Sequence, residues 1–212
     1  MKYFDYGNRE IDYLSSKDRA LGDAILKIGR IEREVTPDLF TALVSSIVAQ
    51  QISSKAFETI WNRIQSGLEA MNPEIISATD ASVIQAFGMT MKKAFYIKAL
   101  ADGIMSGIVD LDCLQGLPDS EICDRLRRLN GIGVWTAEML MIFSMQRPDI
   151  MSFSDLGIHR GLRMLHRHRT IDRTLFEKYR RRYSPYGSVA SLYLWAIAGG
   201  ACEGLSDPAR KK

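Results

Sequence analysis

The stretch of sequence that decides the fold runs from Leu126 to Leu165 and reads LRRLNGIGVWTAEMLMIFSMQRPDIMSFSDLGIHRGLRML. Apolar residues recur at helical spacing before the paired glycines of NGIG, after them, and again after the DLG triplet. The pattern predicts a helix, a tight glycine turn, a second helix, an irregular connector and a third helix.

The glycine turn comprises residues 129–133, which we call the hairpin. Its two glycines, Gly131 and Gly133, can adopt positive φ angles and keep side-chain bulk away from the backbone. Because the apolar run 134–143 follows directly, we predict that Gly133 lies at a helix N-terminus. The amides there lack intrahelical partners and carry the positive end of the helix dipole. Such a turn can bind a phosphate oxygen without any charged side chain.

The connector ends at Ser154 and Asp155, which open the third helix. Either residue could be an ordinary N-cap, and a single acid at such a position usually has only that role. A carboxylate that follows a phosphate-binding turn after a short connector also fits a catalytic group. The residues alone leave both interpretations of Asp155 open.

The motif L-x-G-I-G-x-x-T-A, from Leu129 to Ala137, followed by D-L-G from Asp155 to Gly157, resembles the helix-hairpin-helix DNA glycosylase superfamily of the Gly/Pro-Asp type. Trp135 after the hairpin and the longer pattern D-L-G-I-x-R-G are similar to the alkylbase branch, 3-methyladenine DNA glycosylase II and its relatives. The resemblance implies an all-α, two-lobed fold with the active site in the cleft between the lobes. It also implies that Asp155 is the catalytic residue.

The composition is that of a globular protein without a strong charge. The 212 residues are 46% hydrophobic with a formal net charge of only +3, so overall basicity is a weak indicator of nucleic-acid binding. No targeting pattern and no long uncharged apolar run are present, which predicts an intracellular protein of the cytoplasm and nucleoid, or of the nucleus in a eukaryote. The three cysteines are too few for the four-cysteine iron-sulfur cluster of some relatives, and we expect reduced thiols.

Gln50, Gln51, Ile52 and Ser53 follow an apolar helical run, and we call them the wedge loop. Two consecutive glutamines at this point are typical of a polar corner between helices. The resemblance implies a second role, because the family has a similar Q-Q-[LI]-S-x-K-A segment as a minor-groove wedge that fills the space left by a flipped nucleotide. On that basis all four residues are predicted to face DNA.

Lys92 and Lys93 open a basic helix after the glycine turn at Gly88. Paired lysines at a helix start are more often solvated than part of a binding site. The similar family segment G-[LM]-[ST]-x-x-K-A implies that this loop contacts the undamaged strand or its phosphates. We therefore predict that both lysines bind DNA.

Residues 159–182 are dominated by arginine and contain all three histidines of the chain. An exposed charged surface is the default interpretation, but the position of this run after Asp155 and its excess of positive charge fit phosphate attraction. Because no cysteine or carboxylate lies at matching ligand spacing, a zinc site is not expected.

Besides the wedge loop and the two lysines, the residues predicted to bind DNA are Gly131, Ile132, Gly133, Val134, Thr136 and Arg160.

Aromatic side chains supply the predicted pocket for a flipped base. Trp195 and Tyr193 would ordinarily belong to the core, whereas the similar family helix lines the base pocket with its tryptophan. Trp135 and Met139 complete the predicted pocket, and Met139 replaces an aromatic residue that is frequent in the alkylbase branch, which alters the pocket shape.

Relatives that also cleave the DNA strand carry a lysine at the position of Trp135, so no lyase activity is expected.

The absence of an alternating strand pattern predicts an all-α protein of about ten helices. The predicted organisation is an N-terminal arm and helix (1–36), a first lobe with the wedge loop (37–107), a lobe containing the hairpin (120–183), and a C-terminal segment (184–212). That last segment is predicted to be a helix that packs back on the first lobe, followed by a frayed basic tail. Thr36-Pro37-Asp38 has the pattern of a helix start with Pro37 at the first position.

These features predict a monofunctional DNA glycosylase that flips alkylated purines, of the 3-methyladenine and 7-methylguanine class, out of double-stranded DNA and hydrolyses the N-glycosidic bond in base excision repair. A glycosylase for another damaged or mismatched base, and a non-catalytic DNA-binding protein, are alternatives. A carboxylate beside an anionic backbone has no use in a binding module, which favours the enzyme. We expect a monomer that requires no cofactor. The family also implies a structural Na+ or K+ held by the backbone carbonyls of Leu129, Asn130 and Ile132.

Overall fold

The computed structural model describes residues 2–209 and is mainly helical, which confirms the predicted fold class. The twelve α-helices of these residues are α1 (Asn8–Lys17), α2 (Arg19–Ile28), α3 (Leu39–Ala49), α4 (Ser54–Gly67), α5 (Pro73–Ala78), α6 (Ala81–Ala86), α7 (Met91–Met105), α8 (Asp119–Leu126), α9 (Val134–Phe143), α10 (Leu156–His166), α11 (Arg173–Tyr183) and α12 (Gly187–Gly199). Two short strands, β1 (Lys2–Tyr3) and β2 (Glu34–Val35), pair antiparallel, and a 3-10 helix spans Asp112–Gly116.

Helix α1 lies where the sequence predicts only an arm, and it contributes to a helix count above the predicted ten. The Glu10 carboxylate accepts a hydrogen bond from the backbone amide of Gly7 at 2.7 Å, which satisfies one of the unpaired amides at the helix start. Leu14 is fully buried. A short polar helix is only marginally stable in isolation, so α1 depends on this packing. The local sequence pattern does not reveal such packing, and the helix was therefore not predicted.

The chain divides into two compact units. One contains Thr36–Met145, and we call it the hairpin unit; the other, the terminal unit, combines the two ends of the chain, up to Val35 and from Gln146 onward. The boundaries differ from those of the predicted lobes, because the hairpin and α9 belong with the wedge loop, whereas α10 and α11 belong with the chain ends. Helix α12 is predicted to pack on the lobe of residues 37–107, but it belongs to the terminal unit, where it packs against α10 and α2.

Helix α3 is the centre of the hairpin unit and contacts α4, α7 and α9. Its side chains Leu43, Ile47 and Val48 are at most 1% exposed, as the apolar helical run before Gln50 predicts. Burial of such a helix stabilises the unit by about 25 cal/mol for each Å² of apolar surface removed from water. The wedge loop therefore follows the most deeply packed helix of its unit.

Helix starts in the hairpin unit follow the capping side chains. The Asp38 carboxylate accepts a hydrogen bond from the amide of Thr41 at 2.8 Å and is the N-cap of α3. The predicted start with Pro37 as the first helical residue is therefore wrong by two positions. The sequence also predicts Asn72, Thr79 and Asp80 as capping residues of two short helices. Asn72 and Asp80 are the N-caps of α5 and α6, since each side chain accepts an amide hydrogen bond in the first turn of its helix, whereas Thr79 is the C-cap of α5.

In the terminal unit, α10 and α12 pack at close range. A Cβ atom on Gly161 would overlap the carbonyl group of Leu194, so the two helix backbones approach more closely than any larger residue allows. Helix α2 packs against both helices. This contact fixes where the side chains of α12 point, which becomes important at the candidate site.

Asp18 is the centre of a buried polar cluster in the terminal unit. Its Oδ2 atom accepts hydrogen bonds from Arg182 and Tyr183, each at 2.9 Å. Burial acts to raise the pKa of Asp18, but the Arg182 bond and the other donors hold that pKa below its ordinary value. His166 Nε2 lies 3.3 Å from the same oxygen, yet burial lowers the pKa of His166 to about 4. The imidazole is therefore neutral at pH 7, and its contact with Asp18 is not an ion pair.

Part of the predicted frayed tail is fastened. Asp207 accepts two hydrogen bonds from the Arg163 guanidinium, at 2.9 and 2.6 Å. These bonds lower the pKa of Asp207 to about 2. The prediction of fraying is wrong for Asp207, and residues 210–212 lie outside the described residues. Within residues 2–209, no helix is both long and apolar enough to cross a membrane.

Candidate active site

The hairpin joins α8 to α9 through a tight turn. The amide of Ile132 donates to the carbonyl of Leu129 at 3.1 Å, and Gly131 has a φ of 84°, a left-handed conformation that favours glycine. Gly133 has a φ of −87° and is the N-cap of α9, which confirms the predicted helix start. Only the first glycine therefore uses its conformational freedom. The Ile132 amide, predicted to bind DNA, is already used within the turn, and the Ile132 side chain is only 5% exposed.

The ring of Tyr96 explains a second requirement for glycine at the first hairpin position. A Cβ atom on Gly131 would lie 2.7 Å from Cδ2 of Tyr96, inside van der Waals contact. By contrast, a Cβ atom on Gly133 would meet no atom within 4 Å. The space beside Gly133 is open, which is what close approach of a ligand to the backbone requires.

The wedge loop begins where α3 ends and is fastened to the hairpin. The Gln50 side-chain amide donates to the carbonyl of Gly131 at 2.7 Å. The Ser53 hydroxyl accepts from the amide of Ala56 at 3.3 Å and caps α4. Gln51, between them, is exposed and has a φ of 56°, a strained conformation for a residue with a side chain. Gln50 therefore braces the loop, and Gln51 is its exposed tip.

The two predicted lysines have different environments. Lys93 extends its ammonium group to the carbonyls of Val48, at 2.9 Å, and Gln50, so it satisfies the C-terminal end of α3. Burial lowers the pKa of Lys93. Lys92 is exposed, with its ammonium 5.7 Å from the centre of the Tyr96 ring. Lys92 is therefore the lysine that exposes its cationic group, whereas Lys93 is engaged by backbone carbonyls, and contact of this loop with DNA stays a prediction.

Helix α9 carries the next set of predicted residues. Val134 is 40% exposed and Trp135 is 48% exposed, high values for large apolar side chains. Both lie in the first helical turn, directly after Gly133. Thr136 and Met139 are half-buried. The hairpin unit thus presents an apolar surface beside the helix start, at which backbone amides lack intrahelical acceptors.

Asp155 lies in the terminal unit and is the N-cap of α10. Its Oδ1 atom accepts hydrogen bonds from the amide of Ile158, at 2.8 Å, and from Nε1 of Trp195, at 2.9 Å. The side chain is buried, because the residue is only 7% exposed. Ser154, the alternative cap, instead exchanges a hydrogen bond with the hydroxyl of Ser152 at 3.2 Å. The capping interpretation of Asp155 is therefore correct, but a charge-bearing carboxylate with an indole donor is more than a cap requires.

Tyr193 does not belong to a base pocket. The residue is 0% exposed, and its hydroxyl donates to the carbonyl of Gly29 at 3.1 Å and contacts the Tyr6 hydroxyl at 3.3 Å. Burial raises the pKa of Tyr193. The physical reason for the incorrect prediction is helix geometry: residues two apart project about 200° from each other. Because Trp195 reaches Asp155, Tyr193 points into the core of the terminal unit.

The basic run is partly neutralised by protein carboxylates. Arg163 pairs with Asp207, Arg182 with Asp18, and Arg180 with Glu177. Arg160, which was predicted to bind DNA, is half-buried, and its Nε atom is buried without a hydrogen-bond partner in the described structure. The three histidines contact the Phe153 carbonyl and the hydroxyls of Tyr183 and Tyr179. No group of three or more histidine, cysteine or acidic side chains within residues 2–209 could hold a metal ion.

Sequence reasoning missed two residues that shape these arrangements. Tyr96 packs on Gly131, and Gly157 leaves room for the indole of Trp195, since a Cβ atom there would lie 2.7 Å from Cδ1 of that ring. Gly157 belongs to the D-L-G motif, so the sequence contained an indication of its role. The sequence contains no such indication for Tyr96, because no local pattern shows which face of α7 contacts the hairpin.

Comparison with known proteins agrees with the motifs. Residues 44–185 match the HhH-GPD superfamily base excision DNA repair protein family. This chain belongs to that family. As an HhH-GPD protein, it is 34% identical over 161 residues to DNA-3-methyladenine glycosylase 1 of Schizosaccharomyces pombe, with 74% of this chain and 71% of the relative covered. The resemblance inferred from the hairpin and the D-L-G motif is confirmed.

Two solved structures resemble this HhH-GPD chain over most of its length. DNA-3-methyladenine glycosidase of Bacillus halodurans matches with a TM-score of 0.85 and 33% identity, covering 97% of this chain and 96% of that one. The 3-methyladenine DNA glycosylase Mag1 of Schizosaccharomyces pombe, in complex with abasic DNA, matches with a TM-score of 0.76 and 30% identity, covering 90% and 97%. The helical architecture is therefore that of the HhH-GPD glycosylases.

Proposed function

We propose that this protein is a DNA glycosylase that excises alkylated purine bases, of the 3-methyladenine and 7-methylguanine class, in base excision repair. The observation that carries the proposal is Asp155, a buried carboxylate that caps α10 and accepts a hydrogen bond from Trp195. The relatives named above as 3-methyladenine DNA glycosylases support the same substrate class.

The chemistry of an alkylated purine explains what the Asp155 carboxylate can contribute. Alkylation at a ring nitrogen gives the base a positive charge, so the base is a good leaving group. Breaking the N-glycosidic bond develops oxocarbenium character at C1′ of the sugar. A carboxylate held close to C1′, where water is scarce, stabilises that charge and can orient or deprotonate the attacking water. Asp155 has this role in our proposal.

DNA recognition rests mainly on the hairpin unit. The open backbone at Gly133 and the start of α9 suit a phosphate oxygen, and Lys92 adds an exposed cation. A target base must leave the duplex to be reached, and the enzyme must fill the vacated space. Gln51 is our choice for that plug, because it is the exposed tip of the wedge loop and Gln50 is engaged with the hairpin.

The flipped base is assigned to aromatic and apolar side chains. In the hairpin unit, Trp135 and Met139 of α9 are proposed to contact the base, and in the terminal unit Trp195 of α12 is proposed for the same role. A cationic purine is attracted to the faces of electron-rich rings, tryptophan most strongly. Tyr193 is omitted because it is buried in the core.

We propose that the enzyme is monofunctional and leaves an abasic site. Strand cleavage by related enzymes requires a lysine amine that forms a Schiff base with C1′. Trp135 occupies the position of that lysine and has no amine. Without an amine nucleophile, the N-glycosidic bond is broken by hydrolysis, with water attacking C1′.

A monovalent cation at the hairpin remains part of the proposal. Backbone carbonyls are hard oxygen ligands of the kind that Na+ and K+ accept, and Leu129, Asn130 and Ile132 would supply them. The carbonyl of Leu129 already accepts the Ile132 amide, so it would have to share its second lone pair. When bound, the ion would stiffen the turn that presents Gly133.

The test of this function is base release by wild type and by Asp155→Asn. Asparagine is as good an N-cap as aspartate, so the variant keeps the start of α10 and loses only the charge. Wild type should release 3-methyladenine and 7-methylguanine from methylated duplex DNA, and Asp155→Asn should be slower by a factor of about 100 or more. Thermal unfolding and affinity for an abasic-site duplex should be unchanged in the variant.

Strand breaks should appear only after alkali treatment of the product. Breaks without alkali would contradict the monofunctional assignment. No release by wild type would refute alkylpurine excision, and a panel of deaminated and mismatched bases would then test the alternative glycosylases. Equal release by wild type and variant would remove Asp155 from the reaction.

A further inference from the structure

We propose that Trp195 and Gly157 are positioning residues that hold the Asp155 carboxylate in one orientation. The inference rests on the proposed function, since it concerns how the reacting carboxylate is aimed. Trp195 was assigned to the base pocket by its aromatic ring, but its contact with Asp155 is made by the indole N–H, at 2.9 Å. A ring that only stacked on a base would have no need of that bond.

Hydrogen-bond donors from two helices hold the carboxylate. The backbone amide of Ile158 and the indole N–H of Trp195 both bond to Oδ1 of Asp155, at 2.8 and 2.9 Å. An amide alone holds an N-cap oxygen, while the second donor, from another helix, fixes the rotation of the carboxylate plane. Hydrogen bonds to a charged acceptor are shorter and stronger than neutral ones, and burial of Asp155 limits competition from water.

Glycines of α10 make room for this arrangement. Gly157 and Gly161 are four residues apart and therefore lie on one face of the helix. A Cβ atom on Gly157 would lie 2.7 Å from Cδ1 of Trp195 and 3.1 Å from Oδ1 of Asp155, while one on Gly161 would overlap the backbone of Leu194. The two glycines form a groove that receives α12 and delivers the indole to the carboxylate.

The groove gives the glycines of D-L-G-I-x-R-G a physical role. Asp155, the proposed reacting group, is the N-cap of α10 and lies six residues, or almost two helical turns, before Gly161. The two glycines have different roles: Gly161 allows the close approach of α10 and α12, and Gly157 leaves space for the indole of Trp195. An error of a few tenths of an ångström at either glycine would be transmitted to the carboxylate.

The test compares Trp195→Phe and Gly157→Ala with wild type in two separate measurements. Phenylalanine keeps an aromatic ring for stacking and removes the N–H donor, and alanine at 157 displaces the indole while leaving Trp195 intact. Both variants should lose about 10-fold to 100-fold in the single-turnover rate of base release, the range expected for one hydrogen bond to a charged group. Both should bind an abasic-site duplex within about twofold of wild type, because binding does not require the carboxylate to be aimed.

Gly199→Ala is the matched glycine control, since Gly199 ends α12 and a Cβ atom there meets nothing within 4 Å. Its rate of base release should equal that of wild type.

A wild-type rate of base release in Trp195→Phe would overturn the inference. An equal loss of rate and of abasic-site affinity would also overturn it, because Trp195 would then be a binding residue only. If Trp195→Phe fails to fold, Gly157→Ala decides by the same criteria. Absence of base release by wild type would instead refute the proposed function, so the two failures are distinct.

Discussion

Single residues carry the contacts that distinguish this site from an ordinary helical turn. Gln51 holds a left-handed backbone conformation with a φ of 56° although it has a side chain and is exposed. Such strain costs about 1–3 kcal/mol and persists where the surroundings impose it. The preceding residue, Gln50, is held by its hydrogen bond to the Gly131 carbonyl. A strained, exposed side chain at the tip of a braced loop fits the plug of a base-flipping enzyme.

Substitution of Gln51 separates its backbone from its side chain. Gln51→Gly should raise the free energy of unfolding by up to about 1 kcal/mol, because glycine accepts the left-handed conformation, whereas Gln51→Ala keeps the strain. Both variants should excise alkylpurines from duplex DNA several-fold more slowly, since each lacks the plug. Thermal unfolding and single-turnover excision measure the two effects. Wild-type excision by Gln51→Ala would place the plug elsewhere in the wedge loop.

Gly133 offers a second test at the residue scale. Its φ of −87° suits any residue and a Cβ atom meets nothing within 4 Å, so Gly133→Ala should unfold at the wild-type temperature. The added methyl group would stand where a phosphate approaches, and affinity for an abasic-site duplex should fall about 10-fold, roughly 1.4 kcal/mol. Gly131→Ala should instead destabilise the fold through its φ of 84° and the Tyr96 ring. Unchanged affinity in Gly133→Ala would contradict the phosphate-binding role of the hairpin.

At the scale of elements, helix ends position the groups that we propose to contact DNA. The C-terminal carbonyls of α3 bond to the Lys93 ammonium, and the wedge loop leaves α3 from that fixed point. The α9 start presents Gly133, and the α10 start presents Asp155. Helix ends suit this purpose because their unpaired backbone groups and dipoles attract charge that a helix interior does not.

The two neighbouring lysines of α7 should differ when each is replaced by methionine. Lys93→Met leaves two α3 carbonyls without their donor and should destabilise the protein by about 1–3 kcal/mol. Lys92→Met should keep the wild-type unfolding temperature but weaken DNA binding and reduce the salt dependence of binding by about one counterion. Thermal unfolding and a salt titration of abasic-site binding measure both. A stable Lys93→Met variant with the DNA-binding defect of Lys92→Met would show that Lys93 contacts phosphate instead.

At the scale of the whole molecule, stability depends on groups far from the candidate site. The buried cluster around Asp18 ties α2 to α10 and α11 within the terminal unit. His166 is neutral in this cluster, because burial lowers its pKa to about 4 from an ordinary value of 6.5. The unfolded chain binds a proton on this histidine at a higher pH than the folded chain does. The free energy of unfolding must therefore decrease as the pH falls between these two values.

Acid unfolding should reveal this histidine. The stability contributed by neutral His166 is fully present above about pH 6.5 and is lost as the pH falls toward 4, by up to about 3 kcal/mol. His166→Gln keeps a hydrogen-bonding side chain and cannot titrate, so its unfolding free energy should change less over that interval. Urea titrations at pH 7, 5.5 and 4.5 measure the difference. Parallel pH dependence of wild type and His166→Gln would contradict the assignment.

Much of the local structure follows from the sequence by itself. The glycine turn, the start of α9 at Gly133, the caps Asn72 and Asp80, and the N-cap position of Asp155 were predicted and are present. Each depends on chemistry within a few residues: the conformational freedom of glycine, a side chain that accepts a nearby amide, and apolar periodicity. The family resemblance rests on the same short segments, which is why the motifs alone identified it.

Only the tertiary structure decided which side chains meet. Gln50 and Gly131 are 81 residues apart, and Trp195 and Asp155 are 40 apart. Sequence patterns put Trp195 and Tyr193 in one pocket, but packing of α12 in the glycine groove of α10 turned the first toward the carboxylate and the second into the core. Local periodicity specifies that a helix forms and which residues share a face. The orientation of that face is set by close packing against partners distant in sequence, and this the sequence pattern does not contain.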